Sequence, residues 1–558
     1  MPLDPTTSRL WVRNREAAFE ESMMNLGWWL ERSTWEYADK TAVVDADGTS
    51  VTYRELRAES NRIGNVLAGF GIGVDDVVVT AMPDNHTHVA TFYATIKLGG
   101  AFSGLNYKAN DQKLIDDVAR SQARVAVVSL EYVRLADLLA AQPSIETVIV
   151  TEPGNHGYPV LSALTADASD ELRIVDRAAT DIAAINFTSG TSGTSKGVIF
   201  THGTLGNSAW GAVFLGGITS ETRNVSLVGM YHSGGIHDSI RMIMAGGTIL
   251  WSGGWDVDRV VEIFENRSPN WMYWIIPTMM RDLMRHPRWD SLDLTGLRTY
   301  VAGEPVPDDV RDALLSKGAQ VGNMYGCTEA MPVCILGPSL YYGEESEVPV
   351  GSSGHPIRGF SEVVLKDPES GATLTGNDVE GEVCIKGDVV TPGYYRDPER
   401  TAEAFDSEGY LHTRDRAYRS ADGWYYVRGR IDDIINPGGE KLSLLEVDAA
   451  LLEHPDVIDA GCIGVAHERF GEVPAAFVQM RPGITEEEAK VVLDAHMIST
   501  LERWKRPRLY VLVDEIPRTA KRSKMHGAMR ERVRGITLRD ADGVVGLAAL
   551  HSTQDAIA

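Results

Sequence analysis

The strongest chemistry in this chain lies in the run FTSGTSGTSKG, from Phe187 to Gly197. Small residues let backbone N–H groups approach an anion closely, above all at Gly190 and Gly193. The hydroxyls of Thr188, Ser189, Thr191, Ser192, Thr194 and Ser195 add donors, and Lys196 adds a positive charge. A polyphosphate wants this combination. The run is not a Walker A loop, because Lys196 stands between Ser195 and Gly197, where that pattern needs Gly-Lys-Ser/Thr. A flexible Ser/Gly linker is the competing reading. The strand-like stretches on either side, Ile182 to Asn186 among them, and the single lysine favour a loop between strands.

Such a loop needs a sheet to hold it, and the sequence supplies strand candidates. Thr41 to Asp45 and Thr49 to Tyr53 flank Asp47-Gly48 and read as a hairpin. Leu56, Ile63 and Leu67 follow at helical spacing. Short apolar runs at 77–80, 125–128, 147–150, 248–251 and 271–276 alternate with helix-like stretches. That alternation predicts parallel sheets covered on both faces. Between about 340 and 430, short strands broken by Gly, Pro and Asp predict an antiparallel sheet or small barrel. A compact α+β segment follows to about Arg534, and 535–558 reads as a poorly ordered tail.

With 558 residues, 43% hydrophobic and 23% charged, the chain has the make-up of a large folded protein. A net charge of −25 repels phosphate backbones and anionic lipid, which argues against nucleic-acid or polybasic membrane partners. Cys327, Cys334, Cys384 and Cys462 show no CxxC spacing, so free thiols in a reducing compartment are expected rather than zinc or disulfides. The first residues do not read as a secretory signal, and no apolar run approaches the ~18 residues of a membrane span. The expectation is a cytoplasmic protein, compatible with a homodimer.

Taken with its neighbours, the loop resembles the phosphate loop of the adenylate-forming (ANL) superfamily, in its acyl-/aryl-CoA synthetase branch. Further motifs fall in the family's order over roughly residues 35–535. The resemblance implies that ATP is held by Thr188, Ser189, Gly190, Thr191, Ser192, Gly193, Thr194, Lys196, Gly303, Glu304, Tyr325, Thr328, Asp415 and Arg430. In YGCTE, Tyr325 would stack on adenine, Thr328 would bond phosphate and Glu329 would hold Mg²⁺, a cation that prefers oxygen ligands. In MYHSGG, His232 would lie beside the acid carboxylate and gate the thiol tunnel. Asp415 would accept from the ribose hydroxyls, with Arg414 where the family has glycine. Asp432 would be the hinge, and Gly438, Gly439 and Trp504 would line the coenzyme A tunnel. The proline that the family places ahead of Glu446 is absent.

The resemblance puts Tyr231, His232, His237, Asp238, Trp274, Gly303 and Met331 in the acid pocket, where Trp274 and Tyr231 could pack on an aromatic ring. Asp238 has two readings. Facing the pocket, it would select an acid carrying an amine or hydroxyl; facing outward, it is a solvated charge. The family's P-R-T-x-x-G-K becomes PRTAKRSK, so Ser523 holds the position of the catalytic lysine. Lys524, one place late, is the expected substitute, stabilising charge on the carboxylate and α-phosphate; Lys521, or neither lysine, are the alternatives.

The implied fold is α/β. A large N-terminal adenylation domain, 1–431, would hold two doubly wound subdomains and a small β-barrel; a small mobile α+β domain, 432–534, would follow. The implied reaction joins a small-molecule carboxylic acid to ATP as an acyl-adenylate, releases pyrophosphate, and transfers the acyl group to coenzyme A. A different acceptor (amine, carrier-protein thiol or inorganic nucleophile) and a nucleotide-binding protein without catalysis are the competing readings.

Overall fold

The computed structural model describes residues 25–188, 195–302, 306–336, 349, 351–357, 359–435, 437, 442–518 and 524–539, without the side chains of 215, 331–336 and 432. Ser189, Gly190, Thr191, Ser192, Gly193, Thr194, Gly303, Glu304, Gly438, Gly439 and Lys521, with the side chains of Met331 and Asp432, lie outside the described residues. The chain forms two compact units. One runs to Val364 and adds Cys384–Thr413 and Asp422–Tyr425; the other holds Leu365–Val383, Arg414–Ala421 and the chain from Tyr426 onward.

The first unit contains two large sheets. One has six strands in the order Thr147–Val150, Val125–Val128, Val77–Ala81, Ala101–Gly104, Ile182–Thr188, Lys196–Thr201. All neighbours are parallel except the last pair, which is antiparallel with Thr188 opposite Lys196. The expected phosphate loop therefore connects two hydrogen-bonded strand ends. Val77–Ala81 is buried at every position, as a parallel strand covered on both faces must be.

The second sheet has nine strands, with a parallel centre built from Thr248–Trp251, Arg223–Ser226, Trp271–Ile275, Arg298–Val301 and Gln320–Cys327. The predicted hairpin closes one edge as Thr41–Val44 and Ser50–Thr52. Helix Tyr53–Gly69 follows directly. A capping box starts it: Thr52 accepts from the Glu55 N–H, and the Glu55 carboxylate accepts from the Thr52 N–H. Leu56, Ile63 and Leu67 are its buried stripe, as their spacing predicts.

His202 opens helix His202–Gly216 and is fully buried, its Nδ1 accepting from the Leu26 N–H at 3.2 Å. Burial, reinforced by Arg177, pushes this imidazole down to about 3. The unfolded ring takes its proton near 6.5, so between pH 6.5 and 3 the unfolded chain binds more protons and acid destabilises the fold. His202→Gln should remove roughly 4 kcal/mol of that acid loss, read by urea unfolding at both ends of the window. An unchanged difference between the two pH values would remove His202 as its source.

Among the described residues, the stretch expected to form a small antiparallel sheet or barrel holds a four-stranded sheet of Glu362–Lys366, Glu380–Lys386, Leu411–Arg419 and Tyr425–Arg430, hydrogen-bonded in sequence order. The second unit is α+β. Its sheet runs Leu509–Leu512, Gly471–Met480, Val457–His467, Thr537–Leu538, with helices Leu444–Leu452, Glu486–Thr500 and His526–Arg532. The last strand corrects the expected tail. Thr537–Leu538 pairs in parallel with Ala466 and His467, and Leu538 is buried in one apolar cluster with Val465 and Phe477. Two residues of strand give too short a pattern to register in sequence. No helix among the described residues is long and apolar enough to cross a membrane.

Candidate active site

The described flanks of the expected phosphate loop are held from outside. Lys113, on helix Asp111–Ser121, donates from Nζ to Ser195 Oγ at 2.5 Å and pairs with buried Asp117 at 2.9 Å. On the other side the segment 390–395 pairs with the departing strand. Ile199 N–H donates to Gly393 O at 3.1 Å, and Tyr395 N–H donates to Gly197 O at 2.7 Å. Gly393 has φ +142°, and a Cβ there would lie 2.4 Å from the Thr401 side chain, so this turn needs glycine.

That segment brings Tyr394 between the loop lysine and the YGCTE motif. Lys196 Nζ lies 4.8 Å from the Tyr394 ring centroid, and Tyr394 OH donates to Glu329 Oε1 at 3.0 Å. Burial and the adjacent carboxylate push the Tyr394 phenol well up, so it stays a donor. Thr328 and Glu329 themselves form the tip of the hairpin made by Gln320–Cys327 and Ala330–Leu336, with Cys327 paired to Ala330. Thr391 N–H donates to Glu329 O at 2.7 Å and fixes that tip. Tyr325 is half-buried two residues before the end of the first strand. Sequence reading missed Tyr394 and Lys113, because nothing in TPGYYRDP or in the helix marks them without the contact. Tyr394→Phe removes one hydrogen bond to a carboxylate, worth about 1.5 kcal/mol, and should raise the ATP KM about tenfold at limiting Mg²⁺. An unaltered KM would make the contact incidental.

His232 caps helix Ser233–Ala245, its Nδ1 accepting from the Gly234 N–H at 2.7 Å. In the neutral ring this leaves the proton on Nε2. Its face meets Trp274 at 5.7 Å between centroids, 33° from parallel. Tyr231 meets Tyr107 edge-on at 5.7 Å, and Tyr107 packs on Tyr132 at 4.4 Å. The turn is compact because a Cβ on Gly235 would lie 2.3 Å from Gly229 O. Asn186, two residues before Thr188, donates from Nδ2 to Tyr231 O at 2.8 Å. The His232 turn and the strand entering the phosphate loop are therefore adjacent.

His237 and Asp238 need correction. Neither is an open pocket group, and Asp238 is not a solvated charge. Both are 1% exposed. His237 Nδ1 lies 2.7 Å from Ser208 Oγ, and burial pushes its imidazole well down, so it is neutral. Asp238 accepts from Ser226 Oγ at 2.6 Å and pairs with Arg241 at 3.1 Å, one helical turn on. Arg241 in turn lies 3.3 Å over the Tyr273 ring. Sequence spacing counted residues from His232 but could not tell which face of the helix meets the sheet.

In the second unit, Asp415 and Arg430 sit on neighbouring strands, 3.7 Å apart. Arg414, in place of the family's glycine, takes the left-handed φ of +64° that glycine adopts freely. Its N–H donates to Glu382 Oε1 at 2.9 Å, so the backbone path is kept despite the side chain. Trp504 is half-buried, and Lys505 beside it pairs with Glu446 at 2.8 Å. Lys524, expected to serve adenylation, is instead paired through Nζ with Asp448 at 2.5 Å. Asp448 lies on helix Leu444–Leu452 and is 3% exposed. The charge of Lys524 is thus neutralised within its own unit.

Comparison with known proteins identifies the family of the chain. The family model described as AMP-binding enzyme matches residues 30–395, and the AMP-binding enzyme C-terminal domain matches 446–522. The chain is 28% identical to 4-coumarate–CoA ligase 1 of Petroselinum crispum, over 89% of this chain and 91% of that one. It is 29% identical to feruloyl-CoA synthase of Amycolatopsis sp, over 91% and 99%. Its fold is similar to the anthranilate CoA ligase AuaEII in complex with anthranoyl-AMP, at TM-score 0.81, 26% identity, and 91% and 96% coverage. The chain belongs to the AMP-binding enzyme family, in the CoA-ligase branch of the adenylate-forming superfamily.

Proposed function

We propose that the chain is an AMP-forming ligase that joins an aryl carboxylic acid to coenzyme A. The observation that carries this reading is the Lys196–Tyr394–Glu329 assembly at the flank of the phosphate loop, tied through Asn186 to the His232 turn. The acid carboxylate attacks the α-phosphorus of ATP, and pyrophosphate leaves. Lys196 meets the triphosphate charge, and the chain contributes chiefly positioning and electrostatics. Glu329 offers carboxylate oxygen at the hairpin tip and would hold Mg²⁺, which supplies charge neutralisation between the phosphates when bound. The rings of His232, Trp274, Tyr231, Tyr107 and Tyr132 suit an aromatic acid. The names of the relatives above, which act on coumarate, ferulate and anthranilate, support the same class.

The region 432–534 is read as the lid, turning about Asp432 so that Gly438, Gly439 and Trp504 guide the thiol. Since Lys524 is spent on Asp448, Lys521 is the better candidate for the adenylation lysine.

The test is pyrophosphate release across aliphatic, aryl, hydroxyaryl and aminoaryl acids, with and without coenzyme A, with products read by mass. The expected result is release with aryl acids and an aryl-CoA mass. Release with only aliphatic acids would overturn the substrate class. Adenylate that persists in the presence of coenzyme A would move the acceptor elsewhere.

A further inference from the structure

Among the described residues, the exposed tryptophan and phenylalanine side chains are Trp28, Trp35, Trp210 and Phe214, which leave between 45% and 85% of their surface to solvent. All of them lie on two helices, Gly27–Tyr37 and His202–Gly216. On the first, Gly27, Leu30 and Ser33 are buried, and Ser33 Oγ donates to Ile243 O at 2.5 Å. Trp28, Arg32 and Trp35 recur at i, i+4 and i+7 and form its outward stripe. On the second, Trp210 and Phe214 stand one turn apart. The helices meet through Trp29, whose ring is edge-on to Trp210 at 5.8 Å between centroids and lies 5.6 Å from the Arg32 guanidinium. The exposed rings therefore make one patch, contained in the first unit.

Charge is missing where water would call for it. Helix His202–Gly216, HGTLGNSAWGAVFLG, holds no Asp, Glu, Lys or Arg, although Trp210 and Phe214 stand open on it. A helix that faces water carries charge on that face. On helix Gly27–Tyr37, Glu31 is spent on Lys97 at 2.8 Å and Arg57 at 2.6 Å. That leaves Arg32 and Glu36, paired at 3.0 Å. The patch is thus neutral in a chain of net charge −25. A lipid-docking face would set Lys and Arg around its aromatic residues, and a charged partner would need a patch of one sign. The area fits a dimer. At roughly 150–250 Å² for a whole aromatic side chain, the exposed fractions amount to roughly 400–650 Å². A stable dimer buries about 800 Å² on each partner, somewhat over half of it apolar.

We propose that this aromatic face is the interface with a second copy of the chain, related to the first by a twofold axis. A twofold interface must supply both halves of every polar contact from one surface. Arg32 and Glu36 do so. Each can exchange its partner on its own helix for the opposite charge on the other protomer. The rings of Trp28, Trp35, Trp210 and Phe214 then lose their water and form the dry centre, where tryptophan is a common anchor.

The test is sedimentation velocity of the full chain from about 0.1 to 100 µM. The expected result is a dimer with a Kd in the micromolar range or below. Trp35→Glu and Trp210→Ser alter exposed side chains. In whichever of these melts as wild type, the dimer Kd should rise about 100-fold or more. Arg32→Glu should weaken the dimer too, and the double variant Arg32→Glu with Glu36→Arg should recover it, because exchanging both signs restores each contact across the axis. A wild type that stays monomeric at about 100 µM overturns the proposal. So does a dimer that neither Trp35→Glu nor Trp210→Ser weakens. Two further arms identify other occupants, and either result would overturn the second copy. Pelleting of a monomer with phosphatidylcholine vesicles, lost in Trp35→Glu, would give the face to lipid. A monomer whose acrylamide-quenchable fluorescence is unchanged by Trp35→Glu would give it to residues 1–24 of the same chain.

Discussion

Lys196→Met should lower pyrophosphate release at saturating ATP by about 100- to 1,000-fold, the usual cost of removing a fixed charge aimed at a reacting phosphate. The fold should survive. Lys196 is only partly buried, its ammonium rests on the Tyr394 face, and its strand is held by backbone pairs with Ile182–Thr188 and 390–395. Glu329→Gln should fall in the same range if the carboxylate holds the metal, and its deficit should shrink as Mg²⁺ is raised. Tyr394→Phe belongs to the same assembly, so its effect should be smaller in the Lys196→Met background than alone. Single-turnover release separates chemistry from product departure. A Lys196→Met enzyme within tenfold of wild type would mean that the loop amides and Lys113 carry the charge between them, and the site would have to be redrawn around Ser195.

Lys524→Ala should cost about 3 kcal/mol of stability, because it leaves the buried Asp448 carboxylate without its partner. The Lys524 side chain is 11% exposed and that of Asp448 5%, so solvent does little to screen the loss. Urea unfolding should show a destabilised transition in Lys524→Ala, largely restored in the double variant Lys524→Met with Asp448→Asn, whose side chains are neutral. The double variant should also keep pyrophosphate release. Lys521→Ala should do the reverse, with normal stability and adenylation reduced by about 100-fold or more. A stable Lys524→Ala protein that no longer releases pyrophosphate would return the catalytic assignment to Lys524. It would also show that the Asp448 pair is broken during turnover.

Much of the architecture was legible because its signals are local. The hairpin at Asp47-Gly48, the helix stripe of Leu56, Ile63 and Leu67, and the buried strands at 77–81, 125–128 and 147–150 each follow from patterns within a few residues. The YGCTE motif was legible in the same way, since Thr328 and Glu329 are the turn of a hairpin whose strands adjoin them in sequence. What failed to show was long-range. Tyr394 reaches Glu329 across 65 residues, Lys113 reaches Ser195 across 82, and Lys524 reaches Asp448 across 76. No periodicity records such pairs.

Asp238 marks the boundary between the two kinds of knowledge. Its charge suggested either a ligand contact or solvent, because an isolated carboxylate is too costly to bury. The fold supplied a third solution, a buried Arg241 one turn along the same helix with Tyr273 beneath it. The i,i+3 spacing was present in the sequence, but it is equally common on exposed faces. The sequence alone determined the α/β class and the family, because backbone conformation and small-residue spacing are properties of short segments. Only the tertiary structure decided which charges are spent on one another: Lys524 on Asp448, Arg241 on Asp238, and Tyr394 between Lys196 and Glu329. Electrostatic pairing depends on distance in space, and distance in space is what folding sets.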